Sequence, residues 1–144
     1  MSIVTIALAK GRLTELSIDI LEKCGVNCSE LRDPGRKLIF FDHLNSIRFI
    51  LVKPSDVPTY VEYGVADIGI VGKDTLMEEN RPLYEMLDLG FGKCKLCIAG
   101  FPNQKDRAIT IAHKRVATKY PNIARNYYAK KGEMIEIIRL SGSV

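Results

Sequence analysis

The chain has 144 residues, of which 47% are hydrophobic and 26% are charged, and this composition is typical of one folded domain and excludes intrinsic disorder. The formal net charge of +4 comes from 21 basic and 17 acidic residues scattered singly or in pairs, which favours small anionic substrates over nucleic acid. No run of about 18 apolar residues is present, so no membrane span is expected.

The N-terminal stretch "MSIVTIALAKGR" predicts a strand over residues 3–8. No basic residue precedes its apolar part and no small-residue cleavage site follows it, so we expect a cytoplasmic protein. Residues 13–24 carry apolar side chains at helical spacing, and Gly25 supplies a helix end. Residues 10–12 therefore lie in a loop between a strand and a helix.

Lys10, Gly11 and Arg12 place two cations around a flexible residue, just before a predicted helix N-terminus with free N–H groups. This combination suits a phosphate or a triphosphate. The alternative is a solvated loop with ordinary surface charges, and the tripeptide alone leaves both open. It matches neither the Walker motif nor the dinucleotide-binding glycine motif, so neither of those mechanisms is indicated.

The next runs, "RKLIFF" and "SIRFILV", flank a polar break at residues 42–45 and predict a hairpin. Lys53 follows the second run, and Ser55 is predicted to cap a short helix that Gly64 ends. The stretch "GVADIGIVGKD" then predicts a strand, with a second helix capped by Asp74. This order of elements predicts a layered α/β fold.

In "GVADIGIVGKD", alternation along a strand puts Asp67, Gly69 and Val71 on one face and two isoleucines on the other. A carboxylate beside a position without a side chain gives a polar spot with room for a ligand against the backbone. The alternative is that Asp67 caps a neighbouring backbone turn and Gly69 marks a bulge. The residues by themselves leave both interpretations open.

Beyond residue 82 the chain is predicted to be extended, with glycine bends and a polar loop at residues 102–106. Residues 113–143 then predict a strand, a helix and another strand, the length of a βαβ unit. We therefore expect a first α/β lobe at residues 1–90 and the start of a second α/β lobe at residues 91–144.

Four cysteines include the CxxC pair Cys94 and Cys97, in a stretch that is predicted to be extended. Side chains three positions apart on a strand point to opposite faces, so this pair is not expected to chelate zinc. Cys24 and Cys28 have no histidine near them in sequence. We expect four free thiols and no metal site.

Five stretches together resemble, in order, successive blocks of ATP phosphoribosyltransferase, the first enzyme of histidine biosynthesis: "ALAKGRL", "VKPSDVPTYVEYGVADIGIVGKDTL", "LDLGFGKCKLCIA", "KRVATKYPNIARNYYAKKG" and "LSGSV". The resemblance covers nearly the whole chain. It implies a two-lobed α/β fold similar to type II periplasmic binding proteins, with the second lobe incomplete. It also implies transfer of a phosphoribosyl group from phosphoribosyl diphosphate to N1 of ATP, with Mg²⁺ accompanying the donor.

The resemblance also implies roles for individual residues. Lys10 and Arg12 match the family's anion-binding N-terminal loop, which includes Gly11, and Asp67 and Gly69 match its adenine-nucleotide pocket. A further phosphate contact is expected at Lys53. No residue is expected to form a covalent intermediate, because the chemistry implied by the resemblance rests on positioning and on stabilising the departing diphosphate.

The family continues after "LSGSV" with an acidic, Thr/Gly-rich loop that holds the ribose phosphate of the donor, whereas this sequence stops at Val144. We therefore expect a piece truncated at the C-terminus and inactive on its own. The chain looks like the short form, which implies a hetero-oligomer with a regulatory subunit resembling histidyl-tRNA synthetase. The alternative is a non-catalytic, two-lobed module that binds a small ligand.

Overall fold

The computed structural model describes residues 3–100 and 114–142, so the predicted polar loop at residues 102–106 lies outside the described residues. The chain divides into two compact units, Met1–Gly92 and Lys93–Val144. Each unit is a mixed α/β structure, as the order of elements predicts. None of the helices in the described part combines the length and the apolar character that a membrane span needs.

The first unit is built on one four-stranded sheet. Its strands are β1 (Val4–Ala9), β2 (Ile39–Asp42), β3 (Ile47–Val52) and β4 (Ile68–Ile70). Its helices are α1 (Arg12–Lys23), α2 (Ser29–Arg32), the 3₁₀ turn Pro54–Asp56, α3 (Val57–Glu62) and α4 (Lys73–Glu79). The strand order is β2-β3-β1-β4, with β1 parallel to β3 and to β4. The carboxyl ends of these three strands therefore meet at one edge of the sheet.

Side chains cover both faces of β1, which explains why its sequence is a nearly continuous apolar run. On one face Ile6 and Leu8 pack with Phe49 and Ile18, so α1 covers this side. On the other face the small residues of β1 and the end of β3 pack with α3, in a cluster formed by Ala7, Ala9, Val52, Val57 and Ala66. The sheet is thus sandwiched between helices around its central strand.

The predicted hairpin of the first unit is confirmed: β2 and β3 pair antiparallel, with Phe40 opposite Phe49. The connecting turn is organised by Asp42, whose carboxylate accepts hydrogen bonds from the backbone N–H of Asn27 at 2.8 Å and the side-chain amide of Asn45 at 2.6 Å. Asp42 as a whole residue is 2% exposed. It therefore ties the turn of the hairpin to the chain that follows α1.

The predicted helix cap at Ser55 is wrong. Ser55 lies inside the 3₁₀ turn, and α3 starts at Val57 after Asp56, with no side-chain hydrogen bond at its N-cap. Pro58 stands in the first turn of α3 and has no N–H group to be capped. The chain therefore enters this helix through a proline-containing turn.

The stretch "GVADIGIVGKD" forms a shorter strand than predicted, because β4 includes only Ile68–Ile70. The helix that follows begins at Lys73, with Gly72 at its N-cap and no side-chain cap bond, so Asp74 lies in the first turn and does not cap it. The short helix α2 was not predicted, since four residues carry too little periodicity to reveal a helix.

The second unit contains the predicted strand, helix and strand. They are β5 (Lys114–Thr118), α5 (Pro121–Lys130) and β6 (Ile135–Arg139), and the two strands pair in parallel. Pro121 opens α5, and Gly132 follows its end with φ +71°. The arrangement is a βαβ unit, as the sequence predicts.

Candidate functional site

Two lysines start side by side at the carboxyl edge of the central sheet. In the register of β1 with β3, Ala9 lies opposite Val52, and the next residues along the two strands are Lys10 and Lys53. The Lys10 N–H donates to the Val52 carbonyl at 2.9 Å, which extends the pairing by one position. Both lysines are exposed. The fold therefore brings together two cations that lie 43 positions apart in the sequence.

The turn between β1 and α1, residues 10 and 11, depends on Gly11. Its backbone has φ 118° and ψ −157°, a region that is open essentially to glycine alone. Gly11 is also the N-cap of α1, so this helix has no side-chain cap. The Thr14 N–H donates to the Gly11 carbonyl at 2.9 Å, whereas the N–H groups of Arg12 and Leu13 have no acceptor among the described residues. The positive end of the helix lies beside Lys10.

Positive charge at this edge is not neutralised by neighbouring carboxylates. Lys10, Arg12 and Lys53 are exposed, and within residues 3–100 and 114–142 none of them forms a hydrogen bond or an ion pair through its side chain. By contrast, Lys73 at the start of α4 pairs with Glu85. Three such cations around a helix N-terminus form a site that suits a polyphosphate.

The order of the strands places this edge where α/β proteins commonly bind ligands. From β1 the chain passes through α1 to β2 and β3, which lie on one side of β1 in the sheet. From β3 it passes through α3 to β4, which lies on the other side of β1. Ligands bind outside the carboxyl ends of the strands at such a switch point. Lys10 and Gly11 at the end of β1, and Gly72 just past β4, lie at this point.

Backbone from two later segments packs against Leu13, the residue after Arg12. A Cβ atom added at Gly92 would lie 2.6 Å from Leu13 Cδ2, and one added at Gly72 would lie 3.8 Å from Leu13 Cδ1. Gly92 also has φ +65°. Sequence reasoning did not connect either glycine with the predicted loop at residues 10–12, although Gly72 in "IVGKD" and Gly92 in "LGFGK" were visible as glycines in loops.

Asp67 lies at the opposite edge of the sheet from the three cations. Its Oδ2 atom accepts a hydrogen bond at 2.7 Å from the backbone N–H of Thr5, near the start of β1. Lys10 follows five residues later, about 16 Å along the strand. The structure therefore does not bring Asp67 together with the cations, and its contact with a nucleotide stays a prediction.

Gly69 faces α3. An added Cβ would lie 2.6 Å from Val57 Cγ1 and 3.0 Å from Val61 Cγ2, so the expected open space beside this glycine is occupied by the helix. The absence of a side chain allows α3 to approach β4 closely. The participation of Gly69 in a nucleotide pocket also stays a prediction.

The described cysteines are all free thiols: Cys24, Cys94 and Cys97 are exposed and Cys28 is buried. Burial, with a smaller effect from the nearby Glu22 carboxylate, raises the pKa of the Cys28 thiol to about 11. Residues 93–100 form neither a helix nor a strand, so the strand geometry from which the CxxC pair was predicted not to chelate zinc is not found there. Among the described residues, no three His, Cys, Asp or Glu side chains group as metal ligands.

Comparison with known proteins gives a consistent result. The family profile described as "HisG: ATP phosphoribosyltransferase" matches residues 53–144. Proteins named ATP phosphoribosyltransferase from Ruminiclostridium cellulolyticum and Caldanaerobacter subterraneus are 58% and 55% identical, each across 100% of this chain and 68% of the relative.

A solved structure agrees with the sequence matches. A chain of the ATP phosphoribosyl transferase (HisG:HisZ) complex from Thermotoga maritima is 33% identical, with a TM-score of 0.70. The alignment covers 99% of the present chain and 66% of the Thermotoga chain. The present chain thus spans about two thirds of the length of these relatives.

Proposed function

The chain belongs to the ATP phosphoribosyltransferase family, and we propose that residues 1–144 supply the phosphate-binding edge of such an enzyme. The reaction transfers a phosphoribosyl group from phosphoribosyl diphosphate to N1 of ATP, the first step of histidine biosynthesis. Family membership gives the reaction, and the geometry of the carboxyl edge of the sheet supports the proposal that phosphates bind there.

The uncompensated positive edge is the observation that supports this placement. Lys10, Arg12 and Lys53 surround the N-terminal turn of α1 without carboxylate partners among the described residues. Both substrates carry several negative charges close together. Charge-assisted hydrogen bonds from ammonium, guanidinium and backbone N–H groups recognise such anions in a fixed orientation. We propose that these groups hold the phosphates of one substrate.

For these bond changes, we propose that the enzyme positions its two substrates and forms no covalent intermediate with them. N1 of adenine forms a bond to C1 of the ribose as the bond from C1 to the diphosphate breaks, and the diphosphate leaves with both electrons. Holding N1 in line with C1 removes much of the entropic barrier, and nearby cations stabilise the leaving charge. We propose that Mg²⁺ enters with the donor, since this ion usually binds through substrate phosphates and keeps several waters.

The arrangement of the family suggests further features of this chain. We propose that the two units, Met1–Gly92 and Lys93–Val144, correspond to the two lobes predicted at residues 1–90 and 91–144, in a fold like that of type II periplasmic binding proteins. The relative from Thermotoga maritima is described as a HisG:HisZ complex. By analogy we propose a cytoplasmic hetero-oligomer with a regulatory subunit that resembles histidyl-tRNA synthetase. Asp67 and Gly69 are retained as proposed contacts of the adenine nucleotide, to be tested by mutation.

A chimaera tests the proposed function. Residues 1–144 replace the matched region of the Ruminiclostridium cellulolyticum relative, which supplies the third of the family sequence that this chain does not cover. The chimaera is expected to form phosphoribosyl-ATP from ATP, phosphoribosyl diphosphate and Mg²⁺, and the double variant Lys10→Ala/Arg12→Ala is expected to lose most of this activity. A folded chimaera that binds ATP without turnover would favour a non-catalytic ligand-binding module.

A further inference from the structure

A buried hydroxyl group forms a hydrogen bond across the turn between β1 and α1. Thr14 is 9% exposed, and its Oγ1 atom donates a hydrogen bond to the carbonyl of Ala9 at 2.6 Å. Ala9 is the last residue of β1 and Thr14 is the third residue of α1. The bond therefore spans the turn that carries Lys10 and leads to Arg12, and it joins the strand to the helix directly behind them.

The rest of the turn is held by backbone hydrogen bonds and by the packing of Leu13 against Gly72 and Gly92. Backbone hydrogen bonds fix the Lys10 N–H to Val52 and the Thr14 N–H to Gly11, each at 2.9 Å. Between them Gly11 adopts a conformation with φ 118°, and glycine by itself favours this conformation only weakly over several others. The Thr14 hydroxyl group thus adds the side-chain hydrogen bond that joins the two ends of the turn.

We propose that Thr14 is a positioning residue for phosphate binding. Its hydroxyl group holds the turn in the shape that presents Lys10, Arg12 and the free N–H groups of α1 to one polyphosphate. Thr14 is buried and acts through the turn without touching the ligand. This inference rests on the proposed function, because it assigns a role within the same anion-binding edge.

The expected effect follows from the loss of preorganisation. Without the hydroxyl group, the Ala9 carbonyl loses a buried hydrogen bond and the turn samples several shapes. The ligand must then select the shape that directs Lys10 and Arg12 toward it, which lowers affinity without removing any charge. A change of the size of one ordinary hydrogen bond weakens binding about fivefold.

The experiment compares four forms of the chain by titration calorimetry with pyrophosphate and with Mg·ATP, at a temperature where each form is folded. Thr14→Val keeps the shape of the side chain and removes the hydroxyl group. Thr14→Ser keeps the hydroxyl group. Thr5→Val is the matched control: Thr5 is 2% exposed, lies at the other end of β1, and accepts a hydrogen bond from Arg48 Nε at 3.0 Å. The Thr5→Val variant also loses a buried hydroxyl group, but this group lies far from the turn.

Thr14→Val is expected to bind both ligands about fivefold more weakly, while Thr14→Ser and Thr5→Val stay within about twofold of the wild type. Faster hydrogen exchange at the amides of Lys10 and Thr14 should accompany the loss. Equal affinity in Thr14→Val and wild type would overturn the inference while leaving the proposed function intact. If Thr14→Val does not fold, Thr14→Ala repeats the test, and failure of both to fold would make Thr14 purely structural.

The wild-type titration separates the two proposals. No binding of pyrophosphate or Mg·ATP by the wild-type chain would contradict the anion-binding edge itself, and with it the role of Thr14. Binding by wild type that is lost in Lys10→Ala but unchanged in Thr14→Val would contradict only the positioning role.

Discussion

The Asp67 carboxylate and the Thr5 backbone form a two-way connection at the amino edge of the sheet. Asp67 Oδ2 accepts from the Thr5 N–H at 2.7 Å, and the Asp67 N–H donates to the Thr5 carbonyl at 2.9 Å. This pair extends the contact between β1 and the three-residue strand β4 beyond the strand itself. A carboxylate that looks like a ligand contact in sequence therefore also serves as part of the sheet.

Replacing Asp67 with Ala is expected to lower the free energy of unfolding by about 1 kcal/mol, because the Thr5 N–H loses its acceptor. Urea unfolding measures the change, with Asp33→Ala as a control at an exposed aspartate. Titration with ATP decides the second role of this residue: a loss of affinity would support the predicted adenine contact, and unchanged affinity would restrict Asp67 to the sheet.

Removing the cations of the carboxyl edge is expected to weaken pyrophosphate binding. Lys10→Ala, Arg12→Ala and Lys53→Ala should each reduce affinity about tenfold at low salt, since each removes one charge-assisted contact. Lys23→Ala is the matched control, because Lys23 is exposed at the C-terminal end of α1, about 17 Å along the helix from Arg12. Equal effects of Lys23→Ala and Lys10→Ala would show only a general charge effect.

Gly69→Ala is expected to destabilise the first unit by about 1–3 kcal/mol, because the new methyl group would lie 2.6 Å from Val57 and force α3 away from β4. Thermal unfolding followed by circular dichroism measures the loss. Gly100→Ala serves as the comparison, since a Cβ at Gly100 meets no atom within 4 Å. Equal melting temperatures for Gly69→Ala and wild type would contradict the close packing.

Three of the four cysteine thiols are expected to react quickly with a thiol reagent, and the fourth is expected to be protected. Cys24, Cys94 and Cys97 are exposed, whereas Cys28 is buried with its pKa raised to about 11, so little thiolate forms there at pH 8. Titration with a chromogenic disulfide is expected to show three fast thiols in the native protein and a fourth after denaturation.

The same titration tests the expectation that the CxxC pair holds no metal. Slow reaction of Cys94 and Cys97 that becomes fast after addition of a chelator, together with about one zinc per chain by elemental analysis, would contradict it.

Stability should rise with pH across the acid range, partly because of Asp42. Hydrogen bonds from the Asn45 side chain and the Asn27 backbone lower the pKa of this carboxyl group. The unfolded chain therefore binds more protons between the two pKa values, so the stabilisation is complete above the unfolded pKa of about 3.9 and is lost as pH falls through the folded pKa.

Urea unfolding of wild type and Asp42→Asn between pH 2 and pH 7 checks this dependence. The variant is expected to be less stable at pH 7 and to show a shallower loss at acid pH, because its amide does not titrate. Asp33→Asn, at an exposed position, is the control. If the free energy of unfolding falls equally with pH in Asp42→Asn and wild type, Asp42 contributes nothing to the loss of stability at acid pH.

The sequence by itself determined the elements whose signals are local. Apolar periodicity, glycine at helix ends and paired β-rich runs predicted β1, α1, the hairpin and the βαβ unit of the second lobe, because these patterns depend on residues within a few positions of each other. The exposed connection at Lys10 and Gly11 was also predicted, since a strand followed directly by a helix leaves its connection at the sheet edge, but Arg12 is the first residue of α1 and does not belong to the loop.

Only the tertiary structure decided which of these residues meet. Strand pairing placed Lys53 next to Lys10 and left Asp67 at the opposite edge, although all three were predicted to contact a ligand. Packing of α3 filled the space beside Gly69. The register and direction of strands and the approach of helices arise from burial shared between distant segments, and a local pattern of residue types does not contain that information.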